Sequence, residues 1–300
     1  MGFSNPVYGN NFADPQVVAV DNLYYAFATN GVLGNVQTLK SLDLVSWDEV
    51  GDALPVVPSW TTPGRVWAPE VAVHAADRYV MYYTSADTAS GRQAVGLAVA
   101  SKPEGAYVDK SPSPLINQVD EGGSIDASPF QDSTGKRWLY WKNDGNAIGV
   151  DTWIYVSELF ADGLTLTGPT HRLIKQTLPW EGNLVEGPYM VERNGKFHLF
   201  YSANAYDKAA YAVGHALCAT PIGPCTKSGD RILVSSRDAA GPGHTMVLDK
   251  DNRGWFVYHA WNPAAVGTDP RGRTMWLSEL TWTNDTPTVQ PPLRDNPSRP

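Results

Sequence analysis

Five polar residues recur at nearly constant spacing along the chain. Asp14, Glu70, Asp126, Glu186 and His244 are separated by 56, 56, 60 and 58 positions. Each stands at the head of a similar stretch: ADPQVVAVDNLYYAFAT, APEVAVHAADRYVMYYTS, DASPFQDSTGKRWLYWK, EGPYMVERNGKFHLFYSA and GPGHTMVLDKDNRGWFVYHAW. Any one head could cap a loop or pair with an arginine at a strand entrance. Four carboxylates and an imidazole delivered to one place could instead divide acid and base roles, because clustered carboxylates push one another's pKa values apart.

The elements around the heads say how they could be brought together. Each head precedes a short apolar strand, a turn of Asp, Asn, Gly or Arg, and an aromatic-rich strand. A third strand follows in VGLAVAS, WIYVSEL, YAVGHAL and TMWLSEL, and a fourth is clearest in DLVSWDEVG and LFADGLTLTG. Four antiparallel strands repeated five times predict an all-β fold, a five-bladed β-propeller of four-stranded antiparallel blades. A β-sandwich would not explain so regular a period. The first strand of each propeller blade lines the central channel, so the heads converge near the axis. Residues 1–283 are assigned to the propeller. Residues 284–300, NDTPTVQPPLRDNPSRP, are proline-rich and read as a tail or linker.

Composition narrows the partners. Of 300 residues, 42% are hydrophobic and 18% charged, which suits a folded domain with a sizeable core. The net charge of −8 and the lack of a basic cluster disfavour nucleic acid and anionic membranes. No stretch is long and apolar enough to span a bilayer. Eleven Trp and 14 Tyr suit strand faces and sugar-stacking platforms. Phosphate-binding loops, dinucleotide fingerprints, HExxH and GxSxG elbows are absent. Cys218 and Cys225 flank six residues with a Gly-Pro turn, and either a disulfide or two inert thiols fits. MGFSNP lacks the apolar core of a signal peptide, which leaves a cytoplasmic protein or a secreted one whose signal has been removed.

Carboxylates in differing environments are what cleavage of a glycosidic bond requires. In combination, ADPQV, WAPEV, IDASPF, VEGPYM and GPGHT resemble glycoside hydrolase family 43, over residues 8 to 283. The resemblance implies an inverting hydrolase of plant cell-wall oligosaccharides or polysaccharides, needing no redox cofactor and acting as a monomer. It implies Asp14 as general base, Glu186 as general acid and Asp126 as the group that raises and orients Glu186. In inverting enzymes, base and acid stand roughly 6.5–9.5 Å apart. Further candidates for substrate binding are Trp67, preferred over Trp60 as a stacking floor, Arg273, preferred over Arg271, Asn143 in LYWKNDGNAIG, and Glu70, for which the resemblance favours a supporting structural place. His244 matches a histidine that in many members faces a calcium or other ion in the axial channel, held mostly by waters; a histidine hydrogen-bonded to the ring of carboxylates is the alternative. YSANAY, CATPIGPC and the LYWKNDGNAIG stretch are most similar to the exo-α-L-arabinofuranosidase branch. A β-xylosidase, an endo-arabinanase and a non-catalytic sugar-binding propeller are the alternatives. A fructan- or sucrose-acting enzyme fits poorly, since IDASP stands where Arg-Asp-Pro belongs.

Overall fold

A computed structural model describes residues 2–300. It is an all-β protein in which five small antiparallel sheets are each built from one contiguous piece of chain: 16–52, 67–100, 124–175, 185–233 and 240–289. The inner strands Gln16–Val20, Trp67–Ala75, Ser124–Gln131, Val185–Arg193 and Ala240–Lys250 each touch the next, and the fifth returns to the first. That closed ring is a five-bladed β-propeller.

The sequence dictates the hairpins. In the fourth blade Asn194 and Gly195 have φ of 51° and 71°, and in the fifth Asp251 and Asn252 have 52° and 61°. Both central residues at positive φ define the tight turn whose twist matches two antiparallel strands, and Asn, Asp and Gly tolerate it best. The second strands carry unbroken apolar runs because both of their faces are covered. Tyr79, Met81 and Tyr83 pack toward the first blade. Val80 and Tyr82, alternating with them, pack toward the third. The period of two is thus preserved, with a different neighbour on each side. Five hydrophobic clusters result, one filling each gap between blades.

The ring is closed by its ends. Phe3–Ser4 pairs with Asp295–Asn296. The Asn5 side chain donates to the carbonyls of Leu277 and Leu293, and its Oδ1 accepts the Leu277 N–H. Residues 284–300 are therefore not a tail or linker. Thr286–Val289 is the outer strand of the fifth blade, and Asp295–Asn296 helps lock the ring. Prolines are tolerated there because an edge strand can spare N–H groups.

A second correction concerns the second blade, which has three strands rather than four. The chain after it, SKPEGAYVDKSPSP, touches the sheet at the isolated bridge Val99–Val108. Three prolines in that run prevent a continuous ladder.

Candidate active site

Four of the inner strands are kinked near the same place, and the first begins just beyond it. The register slips between Trp67 and Glu70, between Ser128 and Ile125, between Glu186 and Tyr189, and at Gly243. The kink is marked by positive φ at Asp14 (56°), Ala68 (42°), Asp126 (58°), Gly187 (53°) and His244 (49°). Such a bulge re-aims a side chain out of the pleat. It turns Asp14, Asp126 and His244 toward one mouth of the channel, with Glu186 immediately before its own kink.

The five-fold equivalence therefore differs from the charge pattern in the sequence. Ala68, not Glu70, occupies the head position of the second blade, and Glu70 lies two residues deeper, opposite Tyr82. It is 5% exposed, accepts a hydrogen bond from Ser128 Oγ at 2.9 Å, and lines a separate cavity at the other end of the channel. Glu70 does not line the pocket that the kinked ends enclose. Burial holds its carboxyl well above the usual range, and the Asp126 charge adds to that.

The kinked ends enclose a pocket of about 450 Å³. Asp14 and Thr29 come from the first blade and Trp67 from the second. The third blade supplies Asp126, Lys142, Asp144 and Asn146. The fourth and fifth supply Glu186, Tyr206, Asp207, His244 and Arg273. Of the residues singled out in the sequence, Asp14, Asp126, Glu186, Trp67, Arg273 and His244 thus share one cavity. Asn143 does not. It is fully buried and ties loops together, donating to the carbonyls of Glu121 and Asp151 and accepting from the Trp153 N–H. Trp60 lies outside, stacked on Tyr83 at 6.1 Å, and Arg271 pairs with Asp269.

The electrostatics separate the carboxylates. Asp14 Oδ1 is 2.8 Å from Arg273 Nη1 and 3.4 Å from His244 Nδ1, and Oδ2 accepts the Thr29 hydroxyl at 2.5 Å. Burial works against its charge, but Arg273, then His244, outweigh burial and hold the Asp14 carboxyl well below the usual range. The Asp14 N–H donates to His259 Nδ1 at 3.1 Å, which places the His259 proton on Nε2. Burial, reinforced by Arg273, pushes His259 down to about 4, so this ring is neutral. It stacks flat on Tyr211 at 5.7 Å.

Asp126 and Glu186 are displaced the other way. Burial raises Asp126, and Asp14 adds to it against the opposing pull of His244, Lys142 and the Gly187 N–H. That N–H reaches Asp126 Oδ2 at 2.9 Å. Burial also raises Glu186, and the Asp126 charge adds to it, while Lys142, Tyr211 and His244 pull down. One pocket thus holds an ionised carboxylate and a carboxyl biased toward its protonated form.

Lys142, Asp144, Asn146, Tyr206, Asp207 and Tyr211 were not chosen from the sequence. For Lys142 a signal existed: a cation interrupting an apolar strand must have a buried partner. For Tyr206 and Asp207, on a loop, there was none.

A calcium ion takes six to eight oxygen ligands. His244 offers nitrogen, and no group of three His, Cys, Asp or Glu arranged to hold a metal is found among the described residues. The residues do not fit a calcium site built from protein ligands at His244.

The sequence matches the profile of glycosyl hydrolases family 43 over residues 3–287. A β-D-galactofuranosidase of Aspergillus niger is 30% identical over 85% of this chain and 75% of its own length. An extracellular endo-α-(1→5)-L-arabinanase of Thermotoga petrophila is 29% identical over 70% of this chain, which spans only 50% of that protein. An extracellular exo-α-(1→5)-L-arabinofuranosidase of Streptomyces chartreusis is 29% identical over 89% and 85%. The crystal structure of a thermostable family-43 glycoside hydrolase superposes with a TM-score of 0.90, at 30% identity and 99% coverage of both chains. The chain belongs to glycoside hydrolase family 43 and is a glycosidase.

Proposed function

We propose that this enzyme is an exo-acting α-L-arabinofuranosidase that releases terminal arabinofuranose from arabinan or arabino-oligosaccharides with inversion. The observation that carries the reading is the division of charge in the pocket: Asp14 held ionised beside Arg273, Glu186 biased toward its acid form beside Asp126. Asp14 takes a proton from a water whose oxygen attacks the anomeric carbon. The glycosidic bond breaks, and Glu186 delivers its proton to the departing oxygen. Asp126 orients Glu186 and, when charged, disfavours its ionisation. Trp67 offers a ring for stacking, and Arg273 a cation beside the base. Lys142 and Arg273 face five carboxyl-bearing residues, which suits a neutral sugar rather than a uronic acid.

A furanoside is favoured over a xyloside because two of the relatives are furanosidases. The Aspergillus relative supports a second reading, a β-D-galactofuranosidase, since that ring shares the configuration of α-L-arabinofuranose. Extracytoplasmic action as a monomer is part of the proposal. It draws on the extracellular relatives and on the Cys218–Cys225 disulfide, of a kind that persists in oxidising compartments.

The test is hydrolysis of aryl α-L-arabinofuranoside, aryl β-D-galactofuranoside, aryl β-D-xyloside, arabino-oligosaccharide and debranched arabinan, by wild type and Glu186→Ala. Arabinose alone from the first, the fourth and the chain ends of the fifth, lost in the variant, is the expected result. Dominant galactose or xylose release would replace the substrate assignment. Internal cuts in arabinan would replace the exo mode, and turnover of none would overturn the reading.

A further inference from the structure

Four blades share one hydrogen bond that the third blade lacks. At the end of each second strand a side chain accepts the backbone N–H of the next blade's kink. Thr29 Oγ1 accepts from Ala68 at 2.9 Å, Thr84 Oγ1 from Asp126 at 3.1 Å, Ser202 Oγ from His244 at 2.7 Å, and His259 Nδ1 from Asp14 at 3.1 Å. Strand pairing identifies the third-blade equivalent: Thr84 opposes Val95, Ser202 opposes Val213, and Lys142 opposes Ile154. A lysine has three donors and no acceptor, so it cannot make this bond. The kink N–H it would have served, at Gly187, goes to Asp126 Oδ2 instead.

Lys142 is turned to another use. Its side chain is wholly buried, and Nζ lies 3.3 Å from Glu186 Oε2, 2.7 Å from Asn146 Oδ1 and 3.8 Å from Asp144 Oδ1. The other oxygen of Glu186, Oε1, accepts the Tyr211 hydroxyl at 2.7 Å. Tyr211 is itself fixed. Its ring stacks on His259, and a Cβ on Gly243 would fall 2.1 Å from its Cε1. Burying an ammonium is costly without close partners, and a break in a repeat that raises this cost is expected where function demands it.

We propose that Lys142 and Tyr211 form a two-point clamp on Glu186. It fixes the orientation of the proposed acid and stabilises the carboxylate left when the proton has gone to the leaving oxygen. The assignment rests on Glu186 being that acid. Lys142 is a positioning residue, set against Asp126 from the same blade, Asp144 beside it, His244 from the fifth blade and Asp14 across the pocket. A cation at Oε2 strengthens the acid, and Asp126 weakens it.

Lys142→Thr isolates the role, because threonine restores the acceptor of the other blades. Tyr211→Phe removes the second contact without removing the ring. Both variants are measured with wild type, Glu186→Gln and Asp126→Asn on aryl glycosides of the sugar the enzyme prefers, from poor phenol leaving groups to dinitrophenol, across pH. Lys142→Thr should melt near wild type and lose at least about tenfold in kcat on poor leaving groups, part of the 10²–10⁴ that general acid catalysis supplies. KM should change little, and activity on the dinitrophenyl substrate should be largely kept. Its alkaline limb should move to higher pH, as should that of Tyr211→Phe, and that of Asp126→Asn to lower pH. If Glu186→Gln shows the leaving-group dependence but neither clamp variant changes the limb or the dependence, the clamp is overturned. If Glu186→Gln shows no leaving-group dependence, the acid assignment falls, and the clamp with it.

Discussion

Glu70→Gln should make the protein more stable at neutral and alkaline pH while leaving catalysis intact. Glu70 is buried behind the candidate active-site pocket, with Ser128 Oγ as its hydrogen-bond partner, and burial holds its carboxyl well above 4.5. Below the unfolded value both states carry the proton, and the group costs nothing. Above it the unfolded chain releases the proton while the folded protein keeps it. Stability therefore falls as pH rises, by up to about 1.4 kcal/mol per pH unit, until the folded pKa is passed. For 300 residues, an unfolding entropy of about 2.1 cal/mol/K per residue converts this to about 2 °C of Tm per pH unit. Glutamine has the same shape, is neutral at every pH and can keep the bond to Ser128. Thermal melts of wild type and variant in steps from pH 4.5 upward should coincide at the acid end and separate progressively, with the variant melting higher. Parallel curves would show that Glu70 is not held protonated. A variant inactive at unchanged stability would put Glu70 back in the substrate pocket.

Other consequences can be measured directly. Arg273→Met removes the nearest cation from Asp14, so the acid limb of kcat/KM against pH should move to higher pH; an unmoved limb would mean that Asp14 is not the base or that Arg273 does not hold it ionised. Gly187→Ala places a side chain at φ 53°, with its Cβ 3.2 Å from His244 Nδ1. It should cost about 1–2 kcal/mol of stability and reduce kcat, as read by melts and steady-state rates. Replacing Cys218 and Cys225 by serine opens a short loop on the outer edge of the fourth blade, at a cost of about 2 kcal/mol. Tm should drop with no change in kcat.

Much of the fold was legible because the head-and-hairpin unit recurs five times and its turns carry Asp, Asn and Gly where positive φ is needed. The proposed catalytic carboxylates were legible as repeat heads because Asp14 and Asp126 stand on the kink and Glu186 stands beside it. Glu70 was misplaced because charge, not backbone, was matched. Aligning the prolines of ADPQV and WAPEV puts Ala68 opposite Asp14 and Glu70 opposite Gln16, as the structure has it. Asn143 and Lys142 were exchanged by one residue, and in a strand one residue is the difference between facing the pocket and facing away. The proline-rich end hid a strand because an outer edge needs few N–H groups and little apolar surface. Tyr206 and Asp207 reach the pocket from a loop whose path depends on contacts far along the chain, including Trp261 Nε1 donating to the Tyr206 carbonyl.

The central claim is that Asp14 and Glu186 hydrolyse the bond in a single displacement by water. NMR of the anomeric proton in the first product formed from an aryl α-L-arabinofuranoside, recorded before mutarotation, tests it most directly. The account predicts β-L-arabinofuranose as that product. Accumulation of the α-anomer first would mean a covalent intermediate and would contradict it.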